Sequence, residues 1–240
     1  MKEAFILTKK FEQMVIDAKS ANDLPDKFDW RNINGVNFLS PVRNQGRCGS
    51  CYAISLIESL EARLRVKEKD ITRPLLSAEF VLRCGIYTQG CKGGYAYSGG
   101  RFIRDFGVPT EKELPYKPAS RQECHEILKT SMKMMKVKDY GYVGGDYGGT
   151  SEEAMIRELV RYGPFVVGLN PGRKLKAYDG GILRNDPVSL AEDVNSATIR
   201  DQNKQWEEVE HAVLLVGYGT SKEGTKYWIL QNSWGQKFGN

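Results

Sequence analysis

The sequence predicts an α+β fold, with helices in its first half and mostly strands in its second. Three observations point there. Apolar residues recur at helical spacing just after Cys51, a shorter capped helix follows near Ser77, and two strand-length apolar runs, "HAVLLVGYG" and "KYWILQNSWG", close the chain. At 240 residues the chain is one large domain or two lobes sharing a cleft. Its 40% hydrophobic and 27% charged residues describe a soluble globule with enough apolar side chains for a core. The net charge of +5 is mild, and Lys and Arg are spread along the chain. That pattern describes a solvated surface and gives no support to a nucleic-acid partner. No apolar run approaches the ~20 residues that span a bilayer, so no membrane partner is expected. "MKEAFILTKKF" is too short in its apolar part for a signal peptide, so an export signal would lie upstream.

Taken in order, residues 1–22 carry Phe11, Met14, Val15 and Ala18 at helical spacing, until "SAND" and Leu24-Pro25 break it. This reads as an appended helix. In "CYAISLIESLEARLRVKEK" Ile54, Ile57, Leu60 and Leu64 share one face and Glu61 precedes Arg65 by four residues, which predicts a long amphipathic helix with Cys51 in its first turn. "SAEFVLRCG" predicts a second helix with a serine cap and a glycine stop at Gly85. Between Gly85 and Gly107 the chain is rich in Gly and Tyr and reads as loop. "TSEEAMIRELVRYGP" predicts a third helix, with Thr150 and Glu153 as its capping box, and "FVVGL" a strand after it. The polar stretch from Arg184 to Glu210 reads as an exposed loop.

Chemistry centres on "QGRCGSCYA", residues 45–53. Its C-x-x-C spacing alone leaves open a disulfide exchanger, a metal site, or one nucleophile beside a structural thiol. The cysteine count is odd (Cys48, Cys51, Cys84, Cys91 and Cys124), so four can pair and leave one reactive thiol. A thioredoxin-like exchanger using Cys48 and Cys51 needs a βαβ context that this chain does not show. Two histidines far from the thiols give no metal-ligand spacing, so neither a metal nor an organic cofactor is expected. His125 lies in a polar segment and reads as a surface residue. His211 begins a strand. If the last two apolar runs form a hairpin about "TSKEGT", Tyr218 lies near Tyr227, and His211 falls opposite Trp234, one diagonal step from Asn232. A carboxamide oxygen there can accept the ring N–H and fix the tautomer. A helix start and an imidazolium both favour a thiolate, so Cys51, His211 and Asn232 fit the roles of nucleophile, base and orienting group. Gln45, six residues before Cys51, can reach back with its NH2 and stabilise an oxyanion together with the Cys51 backbone N–H, typically worth ~3–4 kcal/mol per donor.

"PVRNQGRCGSCYA", "GCKGG", "HAVLLVGYG" and "NSWG" occur in an order and spacing that resemble the papain family of cysteine peptidases. "LPDKFDWRN", the Tyr after Cys51 and "YVGGDYGG" are most similar to its dipeptidyl peptidase I (cathepsin C) branch. The likeness runs from about Leu24 to Gly235. It implies a two-lobed fold, with a helical lobe at about 43–128, a β-barrel-like lobe at about 129–240 and the active-site cleft between them. Residues 1–23 would be a propeptide remnant and 24–240 a C-terminally truncated peptidase domain. The resemblance implies hydrolysis of peptide bonds by Cys51, His211, Asn232 and Gln45, with release of N-terminal dipeptides. A cathepsin B- or L-type endopeptidase is the alternative. It also implies that Trp234 shields the Asn232–His211 contact, that Gly93, Gly94, Tyr95, Glu210 and Ala212 contact substrate, and that Tyr97 and Tyr142 hold a chloride ion near the S2 pocket. The disulfides implied are Cys48–Cys91 and Cys84–Cys124, which leave Cys51 free. Implied partners are peptide or protein substrates and an upstream exclusion domain through which oligomers form. The implied location is a lysosome, another acidic compartment, or the cell exterior. The chain departs from the family pattern at Glu210, where Asn or Asp is usual, and at Glu113, which takes the place of a further cysteine. The 184–210 loop is longer than in the animal enzymes.

Overall fold

A computed structural model describes residues 24–118, 123–184 and 209–239. The helix expected over residues 1–22 and most of the expected 184–210 loop lie outside these residues. The architecture is organised about α1 (Cys51–Glu68), which contributes to two separate cores. Tyr52, Ala53, Ile54 and Ile57 pack with Leu76, Phe80, Val81, Phe102 and Ile103 of the helical side. Ala62 and Val66, further along the same helix, pack with Trp30, Phe38, Leu159, Phe165 and Leu214 of the strand side.

A helix between two cores has no solvent face, which corrects the amphipathic expectation. Leu60 and Leu64 are only partly buried, while Glu58, Glu61 and Arg65 are buried. The Glu61–Arg65 spacing therefore does not mark a surface pair. Glu61 instead accepts from Arg43 Nη2 at 2.8 Å, from the Leu76 N–H at 2.5 Å and from the Ser40 hydroxyl. Arg65 donates to Ser40 Oγ at 2.8 Å and to the Phe38 carbonyl. Buried charges persist only when bonded in this way.

The helical side continues with α2 (Ala78–Cys84), where Ser77 Oγ accepts from the Phe80 N–H at 3.1 Å and Gly85 caps the end, as the sequence predicts. The Gly- and Tyr-rich stretch read as loop contains α3 (Ala96–Phe106). Its glycines hid the helix because they serve close approach. A Cβ at Gly99 would stand 2.6 Å from Leu56 Cδ2 of α1. The short α4 (Cys124–Ile127) carries the exposed His125. Disulfides join Cys48 to Cys91 and Cys84 to Cys124.

On the strand side, α5 (Glu152–Tyr162) is capped by Ser151, whose Oγ accepts from the Ala154 N–H at 3.2 Å, one residue later than the expected Thr150. Glu153 pairs with Arg157 rather than closing a capping box. The sheet is built on β3 (His211–Thr220). Along one edge runs β4 (Lys226–Gln231); along the other lie β2 (Phe165–Leu169) and the two-residue β1 (Phe28–Asp29), all antiparallel to it. A four-residue helix, α6 (Arg173–Lys176), follows β2. Among the described residues this sheet is open, so the strand side does not close into the barrel-like form expected. The leading segment is anchored across to α5 by Trp30, which is fully buried and donates from Nε1 to the Leu159 carbonyl at 2.9 Å. No helix among the described residues is long and apolar enough to cross a membrane.

Candidate active site

Cys51 is the first residue of α1. Ser50, at the N-cap, makes no side-chain bond to the helix; its hydroxyl is bonded to Tyr116 Oη instead. No acidic residue occupies the first turn, so the positive end of the helix dipole faces Cys51 uncompensated. Cys51 is the free cysteine among the described residues and is partly exposed. Burial works against its thiolate. Hydrogen bonds from His211 and from the Ala212 and Tyr52 backbone N–H groups, with the His211 charge, outweigh it and hold the thiol below its ordinary 9.0.

His211 opens β3, and its side chain is buried. Its Nε2 lies 2.8 Å from Asn232 Oδ1, which also accepts the Ser233 N–H at 2.8 Å. An amide oxygen only accepts, so Nε2 carries a proton and Nδ1 is the nitrogen left for Cys51. Burial lowers the imidazole's affinity for a second proton. The hydrogen bonds to Cys51 and Asn232, with the thiolate charge, raise it above the ordinary 6.5. The two opposed shifts favour one charge state, thiolate beside imidazolium. Trp234 lies over His211 with ring centroids 4.9 Å apart, and Phe238 meets the Trp234 ring edge-on at 4.7 Å.

Gln45 is fixed at both ends of its amide. Its Nε2 donates to the Cys48 carbonyl at 3.0 Å, and its Oε1 accepts from Ser233 Oγ at 2.6 Å. Its backbone N–H donates to the Ser233 carbonyl, and the Gln45 carbonyl accepts from Tyr116 Oη. Among the described residues, the second N–H of this amide has no partner. Ser233 thus ties the Gln45 loop to the segment that follows β4 and carries Asn232. Neither Ser233 nor Tyr116 was legible as a site residue. Ser233 had a signal, lying between Asn232 and Trp234; Tyr116 is 66 residues from Ser50 and had none.

The remaining expected site residues fall into two places. Against Gly49 of the loop before α1, Gly93 has a backbone committed to its own turn, donating to the Gly90 carbonyl and accepting from the Gln89 N–H. Gly94 has no backbone partner among the described residues. A Cβ at Gly94 would stand 3.0 Å from the Tyr52 ring, so the glycine lets the strip lie flat on that ring. Tyr95, next along, is exposed. Glu210 is exposed and its N–H donates to Asn170 Oδ1 at 3.1 Å; Ala212 is partly buried beside Cys51. Away from the thiol, Tyr97 stacks on Tyr142 with centroids 4.6 Å apart and planes 8° apart, and meets Tyr140 edge-on. These tyrosines line a cavity of about 450 Å³ between α1, α3, α5 and β2, together with Leu56, Arg63, Asp139 and Glu158. Cys48 is bonded to Cys91, which removes it as a redox partner for Cys51. Among the described residues, no group of three or more His, Cys, Asp or Glu is placed to hold a metal ion.

Residues 24–240 match a family described as papain family cysteine protease. Among curated proteins the chain is 35% identical over 238 residues to cathepsin C of Schistosoma mansoni, covering 98% of this chain and 50% of that protein. It is 33% identical over 220 residues to a cathepsin L-like protein of Caenorhabditis elegans, covering 90% and 57%. Among solved structures, a ragweed pollen cysteine protease in its proform superposes with a TM-score of 0.72 at 25% identity, over 92% of this chain and 59% of that one. Bromelain from Ananas comosus in complex with the E64 inhibitor superposes with a TM-score of 0.68 at 28% identity, over 90% and 86%. The chain spans about half the length of the curated relatives it matches.

Proposed function

Because the chain belongs to the papain family of cysteine peptidases, we propose that it hydrolyses peptide bonds with Cys51 as nucleophile, His211 as proton carrier and Asn232 as the group that orients the imidazole. The observation that carries this reading is the Nε2–Oδ1 bond, which aims the other ring nitrogen at the one free thiol. The thiolate attacks the scissile carbonyl carbon, and the resulting oxyanion takes hydrogen bonds from the Cys51 N–H and Gln45 Nε2. His211 gives its Nδ1 proton to the departing amine, leaving a thioester on Cys51. The neutral imidazole then takes a proton from water, whose oxygen attacks the thioester and releases the acid product. Gly94 offers an unengaged N–H and C=O to an extended substrate, with Tyr95, Glu210 and Ala212 around its side chains.

The finer reading is release of N-terminal dipeptides. It is supported by the likeness to cathepsin C over nearly the whole chain, and by the tyrosine pair that this branch uses for chloride. The residues suit a chloride ion. Burial and the neighbouring Tyr97, Tyr147 and Tyr95 raise the Tyr142 pKa, so its phenol stays a donor, and the Tyr97 phenol stacks beside it. Tyr97 and Tyr142 would hold the ion, which would supply a fixed negative charge that orders the loop below the substrate. Residues 24–240 would act as the peptidase domain and 1–23 as a propeptide segment. An exclusion domain upstream would hold the substrate amine, and the working compartment is lysosomal, otherwise acidic, or extracellular. An endopeptidase is the second reading, favoured by the 33% identity to the cathepsin L-like protein. The experiment compares free and N-acylated dipeptide amides with and without chloride. Faster cleavage of the free amine and a chloride requirement are expected. Equal rates without a chloride effect select the endopeptidase, and no cleavage of either overturns the peptidase reading.

A further inference from the structure

The Tyr116 phenol touches both segments that supply donors to the proposed oxyanion pocket. Its Oη lies 2.5 Å from Ser50 Oγ and 3.2 Å from the Gln45 carbonyl oxygen. A carbonyl only accepts, so the phenol proton goes to Gln45 and the Ser50 hydroxyl donates its own proton to Oη. Ser50 is fully buried, and in this arrangement each of the three groups has its partner. Burial holds the phenol pKa above its ordinary 10.0 against the opposing Ser50 bond, so the donor to Gln45 keeps its proton. The phenol is itself held in place. The Tyr116 N–H donates to Glu111 Oε1 at 2.7 Å, and the Lys117 N–H donates to Glu79 Oε2 of α2 at 3.0 Å. Just before them, the Leu114 carbonyl accepts from Ser77 Oγ, the cap of α2, at 2.6 Å. Tyr116 therefore reaches the site from the helical side as a fixed post.

We propose that Tyr116 is a positioning residue: its hydroxyl sets the spacing between the Ser50–Cys51 peptide, which carries the Cys51 N–H, and the Gln45 loop, which carries the side-chain donor. The inference rests on the Cys51–His211–Asn232 reading and on the two oxyanion donors assigned there. Both donors must lie within about 2.7–3.1 Å of the developing oxyanion. The thiolate needs no such spacing, since His211 and the helix start stabilise it. The other bonds of Gln45 run to Ser233, beside Asn232, and to Cys48 of its own loop. The Asn232 segment, the Gln45 loop and the start of α1 are thus joined in series through Ser233, Gln45 and Tyr116. Removing the Tyr116 hydroxyl leaves Gln45 anchored at Ser233 and releases it from the residue before Cys51. The loss therefore falls on oxyanion formation and spares the charge state of Cys51.

The test uses the full chain as wild type, Tyr116→Phe, Ser50→Ala and the double variant. The readouts are kcat and KM on a peptide substrate, inhibition by a peptide aldehyde, and Cys51 alkylation. The Cys51 thiolate adds to the aldehyde carbon and the carbonyl electron pair moves to oxygen, where the two donors receive it; alkylation forms no oxyanion. Tyr116→Phe keeps the ring. It is expected to lower kcat about tenfold with KM within about threefold, and to weaken aldehyde inhibition by a similar factor. Its alkylation rate is expected to stay within about threefold of wild type at each pH. Ser50→Ala is expected to lower kcat as well, and the double variant to lose no more than Tyr116→Phe alone, since the two hydroxyls act through one bond. Wild-type kcat and aldehyde inhibition in Tyr116→Phe overturn the proposal, as does a loss shared equally by alkylation, which marks a general loosening of the site. If Tyr116→Phe does not fold, Ser50→Ala decides by the same readouts. A wild type that cleaves no peptide fails the functional reading and the proposal with it, whereas an active wild type with an unchanged Tyr116→Phe fails the proposal alone.

Discussion

Replacing Asn232 with alanine removes one hydrogen-bond acceptor from a buried imidazolium and little else. In the structure, Asn232 Oδ1 accepts from His211 Nε2 and from the Ser233 N–H, both at 2.8 Å. Without it the ring can turn about its χ2 angle, restrained by Trp234 at 4.9 Å and by the bond to Cys51. A hydrogen bond to a charged group contributes about 1.5–3 kcal/mol, and each 1.36 kcal/mol is tenfold in rate. The expected loss in kcat/KM is therefore roughly 10- to 150-fold. The pH profile gives a second readout. Asn232 helps to hold the His211 pKa above 6.5, so the alkaline limb of the variant should fall at lower pH. The acid limb, set by Cys51 below 9.0, should move less. The assay is kcat/KM against pH for both proteins on one free-amine substrate, with circular dichroism to show equal folding. A loss under about threefold with an unmoved alkaline limb refutes the orienting role.

Two further outcomes concern the scaffold. Glu61→Ala leaves Arg43 and the Leu76 N–H buried without their partner, and breaking a buried pair this way costs about 3–5 kcal/mol in urea unfolding. A cost below about 1 kcal/mol would mean that the network contributes only as a surface pair does. Replacing both Cys84 and Cys124 by alanine opens a link across 40 residues and should destabilise by about 4 kcal/mol on the chain-entropy estimate, with Cys51 alkylation retained at low temperature.

Local signals carried much of this fold. The helix at Cys51, the Ser77 cap and the strands at 165–169 and 211–220 follow from periodicity and capping chemistry that act over a few residues. The hairpin shows how a count can be right at one end only. Tyr227 faces Gly219 rather than Tyr218, but a register shift between Leu215 and Gly217 restores the expected pairing by Leu214, whose partner is Gln231. Continued to the strand start, that register sets His211 against Trp234, consistent with their ring contact. Other features depend on partners far away in sequence. α3 was hidden because Gly99 is selected by Leu56 of another helix, not by local propensity. Glu58 and Glu61 looked like the wet side of an amphipathic helix, since nothing in "SLIESLEARL" reveals that a second core covers it. In the site, Cys51, His211 and Asn232 stood out through rarity and placement, whereas Ser50–Tyr116 and Gln45–Ser233 join residues 66 and 188 apart.

The proposed mechanism requires that Cys51 alone be a stabilised thiolate paired with His211. The most direct measurement is the pH dependence of alkylation by a thiol-reactive epoxide in the unreduced protein, with peptide mapping of the labelled residue. Label is expected on Cys51 only, at a rate that is already high in mildly acidic buffer and that collapses toward an ordinary thiol profile in His211→Ala. Label divided between Cys48 and Cys51, or a rate that rises only as pH approaches the ordinary thiol value of 9.0, would contradict it.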